Sequence, residues 1–322
     1  MGEGITTRLT KAFDLRWPVV CAPMGGAAGG ALASAVSDAG GLGLIGGGYG
    51  DGDWIDAEFA RVNAPVGCGM ITWRLNAALL DRILAHAPRA VFLSFGDLAP
   101  FAPRIHAQNI PLIAQVQDMD AARAAMDAGA QVIVAQGTEA GGHGASRATM
   151  TLVPEVADMI AARSPETLLL AAGGIADGRG LAAAMMLGAD GAVIGSRFWA
   201  AAEALVPGGL HAAALRATGD ATLRTRVPDV ARGIDWPKPF DIRVMRSDGT
   251  EGLHGAPEAM SDADRAAWRD AMAAGDARMA TPIVGEAVGL IRDIRPAAQI
   301  VEEIGQTAAG LLDGGWSNAA HD

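Results

Sequence analysis

The chain of 322 residues is 50% hydrophobic and only 5% aromatic, which is long and apolar enough for one large domain or two ordinary ones. A formal net charge of −11, with no cluster of Lys and Arg, argues against nucleic acid or an anionic membrane surface as a partner. Cys21 and Cys68 are too few for a disulfide framework, and no apolar run reaches the roughly 20 residues that span a bilayer, so we expect a cytoplasmic protein.

Short apolar runs alternate with helical patterns up to about residue 200. The runs interpreted as strands cover residues 19–24, 42–45, 66–71, 90–94, 111–116, 132–135, 168–172 and 191–194. Helices are predicted after the first seven, over residues 31–38, 54–61, 75–86, 100–106, 121–128, 152–161 and 178–187. Because strands that are apolar on both faces and alternate with helices form a parallel sheet, eight such units predict an α/β fold of the (β/α)8 TIM-barrel type. A doubly wound open sheet is the alternative.

The most distinctive stretch is a loop predicted after the sixth strand. Residues 136–146 read Gln-Gly-Thr-Glu-Ala-Gly-Gly-His-Gly-Ala-Ser, and the four glycines let the backbone approach a ligand closely. His143 lies among them; taken alone, such a histidine most often hydrogen-bonds a carbonyl group, and only the rest of the chain favours a functional role. Glu139 could orient the imidazole, but a loop carboxylate usually has a local partner, and we favour a capping role.

In a barrel of this kind the chemistry takes place at the carboxyl ends of the strands. These ends supply Ala22, Pro23, Met24, Gly69, Met70, Gln115, Gln136, Gly173, Gly174, Gly195 and Ser196. The pairs Gly173-Gly174 and Gly195-Ser196 follow strands seven and eight, where many barrels bind phosphate through backbone N–H groups and a helix N-terminus. Either pair alone is typical of an ordinary turn, but the two in register favour a phosphorylated ligand.

The remaining strand ends carry glycine, methionine, alanine and glutamine instead of the carboxylates or lysine that a sugar phosphate would need. This lining is typical of a pocket for a flat, largely apolar ring with amide contacts at its polar edge, and flavin mononucleotide (FMN) meets that description. His, Asp, Glu and Cys do not cluster at any ligand spacing, so no metal is expected.

Three stretches of the chain resemble one known family. Residues 135–143, 171–179 and 188–198 closely resemble the nitronate monooxygenases, formerly called 2-nitropropane dioxygenases, and the likeness extends from Ala22 to about residue 301. That family consists of FMN-dependent barrels and has a related branch of enoyl-acyl-carrier-protein reductases. The resemblance implies that His143 is the catalytic base, that the flavin is contacted by Gln136, Gly141 and the adjacent Gly142, and that its phosphate is held by Gly173, Gly174, Gly195 and Ser196.

Two positions depart from the family pattern. Where many relatives end the third strand with an asparagine that faces the cofactor, this chain has Gly69, so one side-chain contact is missing. The best-characterised bacterial nitronate oxidisers carry a second active-site histidine after the fifth strand, where this chain offers only Gln115, Gln117 and Asp118. These differences bear on the substrate more than on the cofactor.

Beyond residue 200 the regular alternation ends. We predict a helix over 200–217, irregular chain over 218–255, a polar-faced helix over 256–274, and one or two helices over 283–312 with Ile294, Ile300, Val301 and Ile304 on an apolar face. Arg224 and Arg226 are interpreted as solvated in preference to binding an anionic substrate. The predicted organisation is an FMN-binding barrel over 1–202, a lid-like segment over 203–282 and C-terminal helices packed on the barrel over 283–322.

The resemblance implies oxidation of alkyl nitronates by dioxygen, and of nitroalkanes if a base first removes the α-proton. With an ordinary pKa of about 6.5, His143 would be largely neutral at pH 7 and suits that step. The alternative is an NAD(P)H-dependent FMN reductase, of the enoyl-acyl-carrier-protein or quinone reductase type, and a barrel that only binds a phosphorylated metabolite is the non-enzymatic one. The expected partners are a small anionic substrate and dioxygen, and the sequence leaves a homodimer open.

Overall fold

Eight parallel strands form a barrel in the computed structural model, which describes residues 4–314. They are β1 (Val19–Cys21), β2 (Leu44–Gly46), β3 (Gly67–Ile71), β4 (Val91–Ser94), β5 (Leu112–Val116), β6 (Val132–Gln136), β8 (Leu168–Ala172) and β9 (Gly191–Ile194), while β7 (Gly142–Gly144) belongs to a second sheet. The order is β1-β9-β8-β6-β5-β4-β3-β2. Hydrogen bonds from Cys21 N to Leu42 O and from Leu42 N to Val19 O, both 2.9 Å, join the two ends. The predicted barrel is confirmed.

The described residues also form fourteen α-helices. They are α1 (Arg8–Ala12), α2 (Gly30–Asp38), α3 (Gly52–Phe59), α4 (Ala77–Ala85), α5 (Ala102–His106), α6 (Met119–Asp127), α7 (Thr149–Arg163), α8 (Gly178–Met186), α9 (Ser196–Trp199), α10 (Gly208–Ala214), α11 (Val227–Arg232), α12 (Asp248–Glu251), α13 (Asp262–Ala274) and α14 (Ala297–Leu312), with short 3-10 helices at Thr72–Arg74, Gly219–Ala221, Pro257–Ala259 and Glu286–Leu290. The seven helices predicted between strands correspond to α2 through α8. Their ends differ from the prediction by three residues at most.

The interior of the barrel is a separate apolar core. Phe92, Ile113 and Val134 belong to it, and each faces inward from the middle of its strand. Leu9 and Phe13, in and after α1, pack into the same core. Because Leu9 also lies against the first residue of β9, α1 covers the amino ends of the strands. The carboxyl ends are therefore the open end of the barrel.

The eighth outer helix comes about a hundred residues after the eighth strand. The helix α14 packs on α8 and α2, where barrel geometry places the helix that follows strand eight. Gly305 permits a close approach there, since a Cβ at this position would lie 2.2 Å from the ring of Trp17, which is 1% exposed. Glu302 accepts hydrogen bonds from Arg16 and from Trp17 Nε1. These contacts fix α14 against the amino-terminal segment of the chain.

The long segment between β9 and α14 builds a second sheet over the open end. Strands β10 (Thr222–Thr225) and β11 (Asp241–Met245) are antiparallel, and β11 pairs in turn with β7, so that Ile242 lies opposite His143. The prediction of irregular chain over 218–255 is wrong here. Only Leu223, Ile242 and Val244 of these strands are buried together, and so few apolar residues alternating with arginines form too short a pattern to predict a strand.

Other predictions for this segment also need correction. The helix predicted over 200–217 is wrong in its first half, because Pro207 begins the helix α10 instead of lying within one. The helix predicted over 256–274 begins only after Ser261, whose side chain caps α13. Ile300, Val301 and Ile304 are buried on α14 as predicted, whereas Ile294 precedes that helix. The domain boundaries at 202 and 282 stay a prediction, and residues 315–322 of the last predicted region lie outside the described residues. Among the described residues, no helix is both long and apolar enough to cross a membrane.

Candidate active site

The carboxyl ends of the strands surround one pocket. Side chains alternate along a strand, so the residue two positions beyond each interior residue forms the top layer of the barrel. In this layer Ser94, Gln115 and Gln136 follow Phe92, Ile113 and Val134. Three other strands carry small residues near this end, namely Ala22 on the β1 side, Gly69 on β3 and Gly195 after β9. The strand ends therefore leave space at these small residues and offer hydroxyl and amide groups on β4, β5 and β6.

Every residue predicted to bind the cofactor lines this pocket, together with His143. The predicted set is Ala22, Pro23, Met24, Gly69, Gln115, Gln136, Gly141, Gly142, Gly173, Gly174, Gly195 and Ser196. Further lining residues that the sequence did not indicate include Tyr49, Ser94, Phe95, Arg232, Trp236 and Ile242.

The turns after β8 and β9 have the geometry of an anion site. Gly173 and Gly174 have φ of +102° and +75°, a pair of left-handed conformations that side chains rarely adopt. The N–H groups of Gly174, Gly195 and Ser196 find no acceptor within residues 4–314, and Ser196 begins α9. Because β8 and β9 are neighbours in the sheet, these donors lie together, and they fit the phosphate of the predicted FMN.

Two polar side chains across the pocket are also without a protein partner. Ser94 and Gln115 are register neighbours at the ends of β4 and β5, and neither side chain has a hydrogen bond to any described residue. They fit the polar edge of a flavin ring. Gln136 differs, since its Oε1 accepts from Gln117 Nε2 (2.9 Å) and its Nε2 donates to His143 O (3.1 Å). Gln136 thus fixes the histidine segment as well as lining the pocket.

His143 is held by contacts on several sides. The predicted loop here contains the short strand β7, whose pairing with β11 fixes the backbone of His143. The imidazole is 8% exposed and stacks on Trp236, with ring centroids 3.4 Å apart and planes inclined by 12°. Its Nε2 lies 2.9 Å from Oδ2 of Asp229. It therefore does not bond a carbonyl group of its own loop through Nε2.

The pairing of Asp229 decides which ring nitrogen carries the hydrogen. Asp229 is 0% exposed, and its Oδ1 accepts from Arg232 Nη2 at 2.7 Å. A carboxylate paired with a cation acts only as an acceptor, so Nε2 of His143 is the donor and Nδ1 carries the lone pair. Nδ1 is the atom that can take a proton.

The surroundings of His143 keep it neutral. Burial lowers the pKa of His143 below its usual value, and this effect outweighs the hydrogen bond and charge of Asp229, which raise it. The charges of Arg232 and Arg224 lower the pKa further. The unprotonated form therefore predominates at neutral pH.

Two residues near this segment have structural tasks. Glu139 accepts hydrogen bonds from N and Oγ1 of Thr149 at the start of α7, so the predicted capping role is confirmed. The prediction that Arg224 is solvated is wrong: it donates to Thr138 O (2.9 Å) and Asp241 O (2.7 Å), and burial lowers its pKa to about 10. Arg226 pairs with Asp235 and Glu258 nearer the surface. Arg224 thus ties the histidine segment to the second sheet.

The residues that surround the imidazole come from parts of the chain that the sequence did not connect with it. Asp229, Arg232 and Trp236 lie more than eighty residues after His143, in a segment predicted to be irregular. Tyr49 follows a glycine-rich run that is a weak signal by itself. No motif spacing links these positions. Within the described part of the chain, no group of three or more His, Cys, Asp and Glu is placed to hold a metal ion.

Comparison with known proteins is consistent with this geometry. The family model described as nitronate monooxygenase matches residues 6–68 and 72–307. The chain is 32% identical to a nitronate monooxygenase of Neurospora crassa, over 90% of this chain and 88% of that protein. It is 35% identical to the nitronate monooxygenase npaC of Metarhizium robertsii, over 91% of each. Among solved structures, FabK from Thermotoga maritima superposes with a TM-score of 0.82 at 27% identity, over 96% of this chain and 98% of that one. The chain therefore belongs to the nitronate monooxygenase family of flavin-dependent oxidoreductases, which act on small molecules with oxygen.

Proposed function

We propose that this protein oxidises alkyl nitronates, and nitroalkanes after removal of the α-proton, with dioxygen and a non-covalently bound FMN. The observation that carries the proposal is the buried pair of His143 and Asp229, which leaves the lone pair of Nδ1 on an imidazole that lines the pocket. Family membership supports the same activity.

The described residues fit FMN as the flavin. The phosphate would be held by the N–H groups of Gly174, Gly195 and Ser196, and the polar edge of the ring by Ser94 and Gln115. The body of the ring would lie against the small and apolar lining residues Ala22, Pro23, Met24, Gly69, Gly141, Gly142 and Gly173, with Gln136 beside it. When bound, the flavin supplies the electron acceptor that the twenty amino acids lack.

His143 would act on the neutral nitroalkane. As the α-carbon C–H bond breaks, Nδ1 takes the proton and the electron pair moves into the C=N bond of the nitronate, whose charge rests on the two oxygens. The imidazolium so formed donates from Nε2 to Asp229, which stabilises the positive charge. A substrate supplied as the nitronate has already lost this proton, so the step is not needed.

One geometric feature favours a small substrate over a nicotinamide. His143 follows β6 and Tyr49 follows β2, which lie four strands apart on opposite sides of the barrel. Trp236 stacks on His143, and its Nε1 donates to the Tyr49 hydroxyl at 2.9 Å, so this one side chain bridges the mouth. An NAD(P)H-dependent reductase would have to displace Trp236 to bring its donor onto the flavin, whereas a nitronate of a few atoms would not.

The test is turnover by the purified protein. We expect a yellow protein that releases FMN on denaturation, and that consumes dioxygen when an alkyl nitronate such as ethyl nitronate is added. A chain that stays colourless after incubation with FMN would contradict the cofactor assignment. A flavin-loaded chain that consumes no oxygen with any of several alkyl nitronates would contradict the substrate assignment.

A further inference from the structure

We propose that the Tyr49 hydroxyl donates a hydrogen bond to an oxygen of the substrate's nitro or nitronate group, and so holds that group while His143 acts on the α-carbon. The proposal rests on the proposed function and adds a second substrate-contacting residue to it. Tyr49 is the single tyrosine of the chain.

Hydrogen-bond accounting leaves the proton of Tyr49 available. The phenolic oxygen accepts from Trp236 Nε1 at 2.9 Å. An indole N–H is a donor only, so Trp236 Nε1 cannot accept a hydrogen bond from the Tyr49 hydroxyl. No acceptor for it occurs among the hydrogen bonds of residues 4–314. Since Tyr49 lines the pocket, a ligand oxygen can accept this proton without competition from the protein.

The position of Tyr49 suits a group attached to the reacting carbon. The indole of Trp236 stacks on the imidazole at 3.4 Å and lies 6.1 Å from the Tyr49 ring, measured between ring centroids. The Tyr49 hydroxyl and the imidazole of His143 thus both contact the indole of Trp236, and both residues line the same pocket. A nitronate, in which the oxygens are two bonds from the α-carbon, has a size that suits contact with both.

The electrostatics at Tyr49 favour an anionic oxygen. Burial raises the pKa of Tyr49, so the hydroxyl keeps its proton at neutral pH and remains a donor. The guanidinium carbon of Arg232 lies 5.7 Å from the centre of the Tyr49 ring. Arg232 is paired with Asp229, but its charge acts on Tyr49 more strongly than the charge of Asp229 does, so the net effect of the pair at this end of the pocket is that of a positive charge. A hydrogen bond to a charged acceptor is stronger than one to a neutral acceptor. Tyr49 should therefore matter more for the nitronate than for the neutral nitroalkane.

The experiment compares Tyr49→Phe with Trp73→Phe in the FMN-loaded protein. Trp73 belongs to the same aromatic cluster, 6.5 Å from Tyr49 and 5.4 Å from Trp236 between ring centroids, and its Nε1 has no hydrogen-bond partner in the described residues, so its replacement by Phe removes no hydrogen bond and keeps an aromatic ring. We expect Tyr49→Phe to lower kcat/KM for ethyl nitronate by about 10- to 100-fold, the range for a lost hydrogen bond to a charged group, and Trp73→Phe to change it less than about 3-fold.

A binding measurement separates recognition from catalysis. The compound 2-methyl-2-nitropropane has a nitro group but no α-hydrogen, so His143 cannot act on it. Its Kd, measured by calorimetry, should rise by about 2- to 10-fold in Tyr49→Phe, as expected for a neutral acceptor, and should not change in Trp73→Phe.

A structural explanation makes a different prediction. If Tyr49 only anchors Trp236, its loss would disturb the ring stacked on His143, and the pH dependence of nitroalkane turnover would shift. The proposal predicts an unchanged pH dependence and a larger loss of kcat/KM for the nitronate than for the neutral compound.

Two results would overturn the proposal. One is equal kcat/KM and Kd values for Tyr49→Phe and Trp73→Phe, and the other is a shifted pH dependence with equal losses for both substrates. If the wild-type protein itself oxidises no nitronate, the proposed function fails and this inference fails with it; an active wild type with an unaffected Tyr49→Phe overturns only the role of Tyr49.

Discussion

At the scale of single residues, the two ring nitrogens of His143 have different tasks. Nε2 is committed to Asp229, a fully buried carboxylate that Arg232 keeps paired, and Nδ1 is left as the acceptor. The glycine-rich setting of His143 was visible in the sequence, because it depends on neighbours within a few residues. Asp229 and Arg232 were not, because their role depends on contacts across more than eighty residues, for which no local pattern exists.

The role of His143 as a base can be measured by substitution. A general base typically contributes about 10² to 10⁴ in rate, so His143→Asn should lower turnover of a neutral nitroalkane by an amount in that range. Turnover of the nitronate should fall far less, because that substrate has already lost its proton. In the wild type, the nitroalkane rate should rise as His143 loses its proton with increasing pH. Since burial lowers the pKa of His143, this rise should lie below the usual value of about 6.5 and be complete at neutral pH.

Two results would contradict this role. Equal slowing of both substrates by His143→Asn, with FMN retained, would mean that the residue positions or stabilises the bound anion instead of removing a proton. No slowing of either substrate would leave His143 a structural residue of β7.

At the scale of elements, the turns after the strands make the pocket. Ala22, Gly69, Gln115, Gln136 and Gly195 could be predicted, because an alternating side-chain pattern and a strand end determine where each lies. Ser94 follows the same rule, but a serine at a strand end is too common to indicate a binding residue. The strands β10 and β11 could not be predicted, because their few apolar residues do not form a clear pattern in a polar, arginine-containing segment.

The phosphate assignment can be tested at Gly195. Its φ is −100°, so a side chain causes no backbone strain, and the nearest atoms to an added Cβ are Ala22 Cβ at 3.7 Å and Met24 Sδ at 3.9 Å, both pocket-lining residues. Gly195→Leu should therefore fold but fill the space for the phosphate. We expect purified Gly195→Leu to hold little FMN, measured as FMN released per chain on denaturation.

A matched control lies on α14. Gly310 is exposed and has no neighbouring atom within 4 Å of an added Cβ, so Gly310→Leu should retain FMN like the wild type. Gly174→Leu is a less clear test, because its φ of +75° adds backbone strain to any effect on the ligand. Stoichiometric FMN in Gly195→Leu would mean that the phosphate lies elsewhere.

At the scale of the whole molecule, the order of elements explains how one chain forms both the barrel and the second sheet over its open end. The eight strands could be predicted because each is apolar on both faces and is followed by a helix or a glycine turn. The eighth helix could not be assigned, since it follows β9 only after the segment that carries β10, α11 and β11. The sequence predicts that C-terminal helices pack on the barrel, but sequence order does not indicate that α14 packs between α8 and α2.

The close packing of α14 on Trp17 predicts that replacing two glycines of this helix by alanine has opposite effects on stability. In an exposed helical position, Gly→Ala stabilises by roughly 0.5–1 kcal/mol, and Gly310→Ala should do so. Gly305→Ala should instead lower the free energy of unfolding by roughly 0.5–2 kcal/mol, because its Cβ would meet the buried ring of Trp17 at 2.2 Å and overpacking costs about 1–3 kcal/mol. Urea unfolding of both variants gives the comparison. Equal stabilisation by both substitutions would show that α14 does not pack closely on Trp17.

The central claim, that the flavin of this barrel takes electrons from a nitronate, is tested most directly by anaerobic rapid mixing of the FMN-loaded protein. The loss of flavin absorbance is followed separately with ethyl nitronate, NADH and NADPH. We predict that the nitronate bleaches the flavin faster than either nicotinamide, because Trp236 bridges the mouth between His143 and Tyr49 and the described chain offers no separate dinucleotide fold. Faster bleaching by NADH or NADPH than by every nitronate tried would contradict the account and assign the protein to the reductases.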